Sequence, residues 1–154
     1  MFFLPSWLVI AVVAILVAST SSLLDSNDRR WFNRQIRPRW LTFERLIPFI
    51  WISIFICGAI SAYLVWESGT SDRVFLMLFY LVVELAVMAY TPVMCKTRSL
   101  RVGTIIGALG FVLGCILIFL VFRVSFTAGL LLLPFVLWSP IGTYVTWEMS
   151  RLNQ

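Results

Sequence analysis

Polar residues in this chain are gathered into short stretches, and between them lie five continuous apolar runs: Phe2–Leu24, Leu46–Trp66, Val74–Cys95, Val102–Phe122 and Thr127–Trp147. A bilayer core about 30 Å thick is crossed by about 20 residues of α-helix, and each run is long enough. The runs are continuous rather than alternating and about twice the length of a barrel strand, which excludes a transmembrane barrel. The pattern therefore predicts an all-α integral membrane protein, a bundle of five transmembrane helices forming one domain over residues 1–154. The first run has no basic residue ahead of it and is long enough to span. It is read as a retained helix rather than a cleaved signal segment. No internal repeat or low-complexity tract interrupts the pattern.

Composition agrees. Of 154 residues, 61% are hydrophobic and 12% charged, and the mean hydropathy is +0.98. A water-soluble domain is roughly half apolar and about a quarter charged. So little polar surface cannot coat a globule in water, and lipid must be the outer solvent.

Charge adds an orientation. The linker after the first run carries Arg29, Arg30, Arg34, Arg37, Arg39 and Arg45; the third linker carries Lys96, Arg98 and Arg101; the tail carries Arg151. With five spans these segments share one face, leaving only Arg73 and Arg123 on the other. Basic residues accumulate on the cytosolic side. The first loop and the C-terminus are predicted to be cytosolic and the N-terminus outside. The net charge of +5 suits anionic headgroups or an anionic ligand, and no nucleic-acid module is present.

Histidine is absent, which removes the usual general base and the commonest metal ligand and excludes a hydrolase triad built on imidazole. Cys57, Cys95 and Cys115 lie far apart without CxxC spacing, so neither a disulfide framework nor a metal site is expected. Trp7, Trp31, Trp40, Trp66 and Trp147 fall near predicted interfaces, where tryptophan anchors a span; Trp51 and Trp138 lie deeper. Glu84 is the one charged residue deep in a span. An acid there costs on the order of 3 kcal/mol on insertion scales and needs compensation. It shares a helical face with Tyr80, Val87, Met88 and Thr91. Pro48, Pro92, Pro134 and Pro140 lie within spans, where each removes a backbone donor and can kink its helix.

Three stretches together resemble the TspO/MBR family, the tryptophan-rich sensory proteins and mitochondrial translocator proteins. The first is Trp31-Phe32, Arg37-Pro38-Arg39-Trp40 and Trp51, similar to the family's WY, KPxW and following tryptophan. The second is Tyr90-Thr91-Pro92-Val93, similar to W-[ST]-P in the third span. The third is Leu132-Leu133-Pro134-Phe135-Val136-Leu137-Trp138, similar to LLxPYLxW in the fifth, followed by Leu152-Asn153. The chain departs from the family pattern at several points. Leu41-Thr42-Phe43 replaces paired prolines, Phe32 replaces a tyrosine, Val87 an asparagine, and Ala18, Ser19, Ser21 and Ser22 a glycine cluster. Trp147 stands where a cholesterol-type motif has tyrosine.

The resemblance implies a pocket for porphyrins and other flat apolar ligands, within the helices and roofed by the first loop. Carried onto this sequence, its lining would be Trp31, Phe32, Arg37, Trp40, Trp51, Phe55, Glu84, Val87, Tyr90, Trp138 and Gly142. Trp51 and Trp138 offer π faces, and Gly142 leaves space beneath the Trp138 indole one helical turn away. Arg34, Arg37 and Arg39 are candidates for the propionates, because guanidinium pairs with carboxylate through two parallel hydrogen bonds. No cofactor is required; a porphyrin such as protoporphyrin IX or heme is the implied ligand. The implied partners are a tetrapyrrole or similar small molecule, membrane lipid and a second copy of the chain, through the first and third spans.

Three functions stay open. One is a tetrapyrrole receptor or carrier in sensing, stress or tetrapyrrole regulation. Another is light- and oxygen-dependent porphyrin degradation, with Trp51 and Trp138 as the catalytic pair. The third is a membrane scaffold or lipid-handling protein.

Overall fold

The computed structural model describes residues 5–19 and 24–154. Among these residues the chain is all helical: α1 Ser6–Ala18, α2 Ser26–Asn33, α3 Ile47–Glu67, α4 Arg73–Lys96, α5 Leu100–Phe122 and α6 Phe126–Leu152. A 3-10 turn, Glu44–Leu46, leads into α3. Helices α3 to α6, with that turn, are each long and apolar enough to cross a membrane. The chain is thus a multi-pass integral membrane protein. The first span, expected at 2–24, is a shorter apolar helix of 13 residues, and residues 2–4 and 20–23 of the expected range fall outside the described residues. Four long spans and one shorter apolar helix therefore stand where five spans were expected.

The helix ends follow from local chemistry. Ser99 Oγ accepts from the Val102 amide at 3.4 Å and Ser125 Oγ from the Ala128 amide at 3.3 Å, so α5 and α6 each start on a serine cap. Pro48 sits in the first turn of α3, where its missing N–H costs nothing. Pro92, Pro134 and Pro140 lie inside α4 and α6, and both helices continue through them. Gly69, at φ 67°, turns the chain between α3 and α4, a conformation glycine adopts without steric cost.

Helix α5 packs most extensively on α6 and next on α4; α3 packs on α6, and α1 lies over both α3 and α4. The apolar helices thus close a ring in the order α1, α3, α6, α5, α4. Gly103, Gly107, Gly110 and Gly114 form a stripe along α5. A Cβ on Gly114 would overlap the Phe135 ring of α6, and one on Gly107 would lie 2.6 Å from Thr143 Oγ1. Small residues of this kind let membrane helices approach closely. Phe49, Leu78, Ile105, Phe119 and Leu137 are more than half exposed, as expected where the solvent is lipid.

The basic first linker, read from sequence as a loop, contains α2. Asp28 on α2 is buried and receives a hydrogen bond at 3.1 Å from Arg98, in the α4–α5 turn. Arg98 also donates to the Asn27 carbonyl at 3.2 Å. This pair fastens α2 to the end of the bundle where Trp31, Phe32 and Leu41 pack on Met94, Leu100, Val145 and Met149.

Candidate functional site: two cavities sharing a wall

Two sizeable cavities open between the helices among the described residues. One, of about 410 Å³, lies beneath the first linker between α3, α4, α5 and α6. The other, of about 660 Å³, opens at the far end between α1, α3 and α4, with α5 and α6 behind. Both fall within the span of about 300–1,000 Å³ typical of small-molecule sites. Trp51 and Val87 line both and form the wall between them.

The first linker roofs the smaller cavity through specific bonds. Asn153, just past α6, accepts from the Ile36 amide at 2.9 Å and donates to the Ile36 carbonyl at 3.0 Å. Trp40 Nε1 donates to Glu148 at 2.6 Å. An aromatic series continues inward: Trp40 lies 5.9 Å from Tyr144 and 6.3 Å from Phe43, and Phe43 meets Trp138 edge-on at 6.2 Å. Helix α6 reaches five residues beyond the expected Trp147 boundary, to Leu152. That extra turn carries Glu148 and positions Asn153, so the helix supplies its own anchor for the roof.

The sequence-derived candidates divide between the cavities. Phe32, Arg37, Trp51, Val87, Tyr90, Trp138 and Gly142 line the roofed cavity. Phe55 and Glu84 line the far one, along with the shared Trp51 and Val87. Trp31 and Trp40 line neither: Trp31 lies under the Arg98 guanidinium at 5.8 Å, and Trp40 packs in the outer layer of the roof. Arg34 and Arg39 are exposed. Arg37 is already engaged. Its Nε donates to Glu44 at 2.6 Å, its Nη1 to the Gln35 carbonyl at 3.0 Å, and its guanidinium stands 5.2 Å over the Phe32 ring.

Trp138 is 9% exposed, and its indole Nε1 is a buried donor without a hydrogen-bond partner. Leaving such a donor unpaired carries a desolvation cost of about 1–3 kcal/mol. The atom sits at the Gly142 wall, where a Cβ built on Gly142 would meet only Trp138 Nε1, at 3.9 Å. Nearby, the Tyr90 and Thr146 hydroxyls are hydrogen-bonded to one another, tying α4 to α6 across the cavity. Ser139, Thr143 and Thr146 form a hydroxyl row on α6 that sequence reasoning passed over. Thr143 donates back to the Ser139 carbonyl at 2.9 Å and Thr146 to the Gly142 carbonyl at 3.4 Å, and all three residues line the roofed cavity. The row's spacing of four and three residues on one helical face was the signal available.

Residues 8–152 match the TspO/MBR family. The chain belongs to the TspO/MBR family. It is 27% identical to the tryptophan-rich protein TspO of Bacillus cereus over 134 residues, covering 86% of this chain and 87% of that protein. It is 23% identical to the uncharacterized membrane protein YtaB of Bacillus subtilis over 150 residues, covering 95% of each. The family match takes in both cavities, the linker that roofs one of them, and the tryptophans on their shared and inner walls.

Proposed function

We propose that this TspO/MBR family protein is a membrane receptor or carrier that binds tetrapyrroles and similar flat apolar ligands in the roofed cavity. The observation that carries the reading is the pairing of Trp51 and Trp138 on one largely apolar cavity, with the Trp138 N–H lacking a partner. A flat conjugated ring gains burial and stacking against indole faces, worth about 0.5–1.5 kcal/mol per aromatic pair beyond area. Its edge can also offer an acceptor to the N–H. Arg37 is the propionate partner, and reaching the ligand requires it to leave or share Glu44. The role is sensing or regulation of tetrapyrrole metabolism or stress.

The proposal includes a homodimer packed through α1 and α4. It also places the first linker and the C-terminus in the cytosol, from the bias of basic residues. Cysteine introduced at position 36 or 153 should be labelled only from the cytosolic side. Titrating the protein in lipid nanodiscs with protoporphyrin IX tests the central reading. Saturable binding that Gly142→Phe removes is expected, and absence of binding would leave the scaffold function in front.

A second reading is favoured by the two oxidisable indoles on one cavity wall: light-dependent degradation of the bound porphyrin by oxygen. In it, ligand and oxygen supply the reactivity. Illumination in air separates the two readings. Trp51→Phe or Trp138→Phe would keep measurable binding, about tenfold weaker for Trp138→Phe through its lost N–H, and lose turnover, because phenylalanine keeps an apolar face but is harder to oxidise.

A further inference from the structure

The far cavity has a chemistry of its own. Its lining is apolar apart from a few groups, and Glu84, midway along α4, is its one charged residue among those described. A carboxylate at that depth is costly without a partner, yet Glu84 makes no hydrogen bond or ion pair among the described residues. Tyr80, one turn earlier on the same face, is committed elsewhere. Its hydroxyl is 2.6 Å from Ser61 Oγ, which in turn donates to the Ala128 carbonyl at 2.7 Å. At the rim, Ser6 donates to Glu67 at 2.6 Å. Arg73, the basic group beside the rim, stands 4.8 Å over the Trp66 ring. Among the described residues no lysine or arginine lines the cavity.

We infer that the far cavity is a second ligand site for an apolar molecule bearing one ammonium group, with Glu84 as its counter-ion. The volume of about 660 Å³ admits the apolar body, and the unmatched carboxylate selects the head. An ammonium supplies the opposite charge and the donors that the wall lacks. A carboxylate ligand would meet repulsion there, and a neutral one would leave Glu84 without its counter-ion. The site is built on α1, on α3 from Trp51 to Trp66 and mainly on the first half of α4, and it does not depend on the tetrapyrrole reading of the other cavity.

Two dansyl probes of matched shape test this: N-(5-aminopentyl)dansylamide, which carries the ammonium, and neutral N-pentyldansylamide. Binding to the protein in phosphatidylcholine nanodiscs is read by energy transfer from tryptophan, with empty discs as the blank. The amine should bind at least about tenfold tighter than the neutral probe, the effect of one charge-assisted hydrogen bond. Glu84→Gln, which preserves shape, should remove that preference. Gly58 lines this cavity and has nothing within 4 Å of a built Cβ, so Gly58→Phe should fill the space and block both probes, whereas Gly142→Phe should block neither. Thermal melting identifies any variant that fails to fold, and Gly58→Leu serves as the smaller replacement. Equal affinity for the two probes in the unaltered protein, an amine preference that survives Glu84→Gln, or loss with Gly142→Phe but not Gly58→Phe would overturn the assignment. Protoporphyrin binding by Gly58→Phe, followed in parallel, reports on the other cavity alone.

Discussion

The two cavities share Trp51 and Val87, but their walls are made differently. Around the roofed cavity several polar groups are engaged: Arg37 with Glu44, Tyr90 with Thr146, Trp40 with Glu148, and Asn153 with both polar atoms of the Ile36 backbone. Trp138 Nε1 is left open there, as are the Ser139 and Thr91 hydroxyls among the described residues. The far cavity has the larger volume and the shorter helix α1 as a wall, and its one charge stands without a counter-charge. A wall of bonded polar groups with a few open neutral donors is specific for shape and an acceptor. A greasy wall with one open carboxylate is specific for charge and permissive in shape. One small bundle can thus hold two different selectivities, because satisfied polar groups fix geometry while unsatisfied ones choose the ligand.

The sharpest way to break this comparison is to fill each cavity in turn. Gly142→Phe should lower protoporphyrin affinity at least about a hundredfold, about 2.7 kcal/mol. Gly58→Phe should change it by less than about threefold, since Gly58 lines only the far cavity and only the shared wall of Trp51 and Val87 can couple the two sites. Equal losses from both would mean that one continuous cavity serves both ends.

The roof comes next. Asn153→Ala removes two bonds to Ile36, each worth about 1 kcal/mol net. Hydrogen exchange at the Ile36 amide should accelerate by roughly five- to thirtyfold, and porphyrin dissociation should speed up with it. Unchanged exchange would show that Trp40 and Glu148 hold the roof without Asn153. A smaller effect is expected from Trp138→Phe, which keeps a ring but loses the N–H: about tenfold weaker protoporphyrin binding, with the dansyl amine unaffected.

The smallest effect tests the charge at the roofed site. Arg37 and Glu44 form a partly exposed ion pair, a class worth about 0–1 kcal/mol. Glu44→Gln frees Arg37 and should tighten protoporphyrin by up to about fivefold, while leaving its dimethyl ester unchanged. Arg37→Ala should weaken the dicarboxylate more than the ester. Equal changes for acid and ester would assign Arg37 to the roof alone.

The long helices were legible because a run of apolar residues bounded by charge has few other solutions in lipid; α3, α4 and α5 begin and end within two residues of the expected limits. The end of α6 was not, because Glu148 and Arg151 mark the membrane boundary and do not stop a helix. Helix α2 was hidden in a linker whose arginines drew the reading toward topology, although Asp25, Ser26 and Asp28 form a reasonable helix start. The glycine stripe of α5 was missed as well, since its role shows only when Phe135 and Thr143 of α6 are set against it. At the site, Trp51 and Trp138 came from the resemblance to the family, whereas Trp31 and Trp40, carried over with them, line neither cavity. The division of the lining was not legible: that Phe55 and Glu84 face a separate cavity depends on α1 lying over the gap between α3 and α4. Nor could the sequence show that Arg37 is already paired, because Glu44 lies seven residues on, across an irregular turn.

The central claim is that a tetrapyrrole enters the roofed cavity against Trp51 and Trp138. The seven tryptophans each carry an indole N–H donor, so a nitrogen-15 correlation spectrum of the protein in nanodiscs reads every one separately. Adding protoporphyrin IX should move the Trp138 and Trp51 indole signals strongly, through the ring current of a stacked macrocycle and a new hydrogen bond at Trp138 Nε1. The signals of Trp7 and Trp66, at the far end, should move little. A large shift at Trp66 with Trp138 unmoved would contradict the account and place the tetrapyrrole in the other cavity.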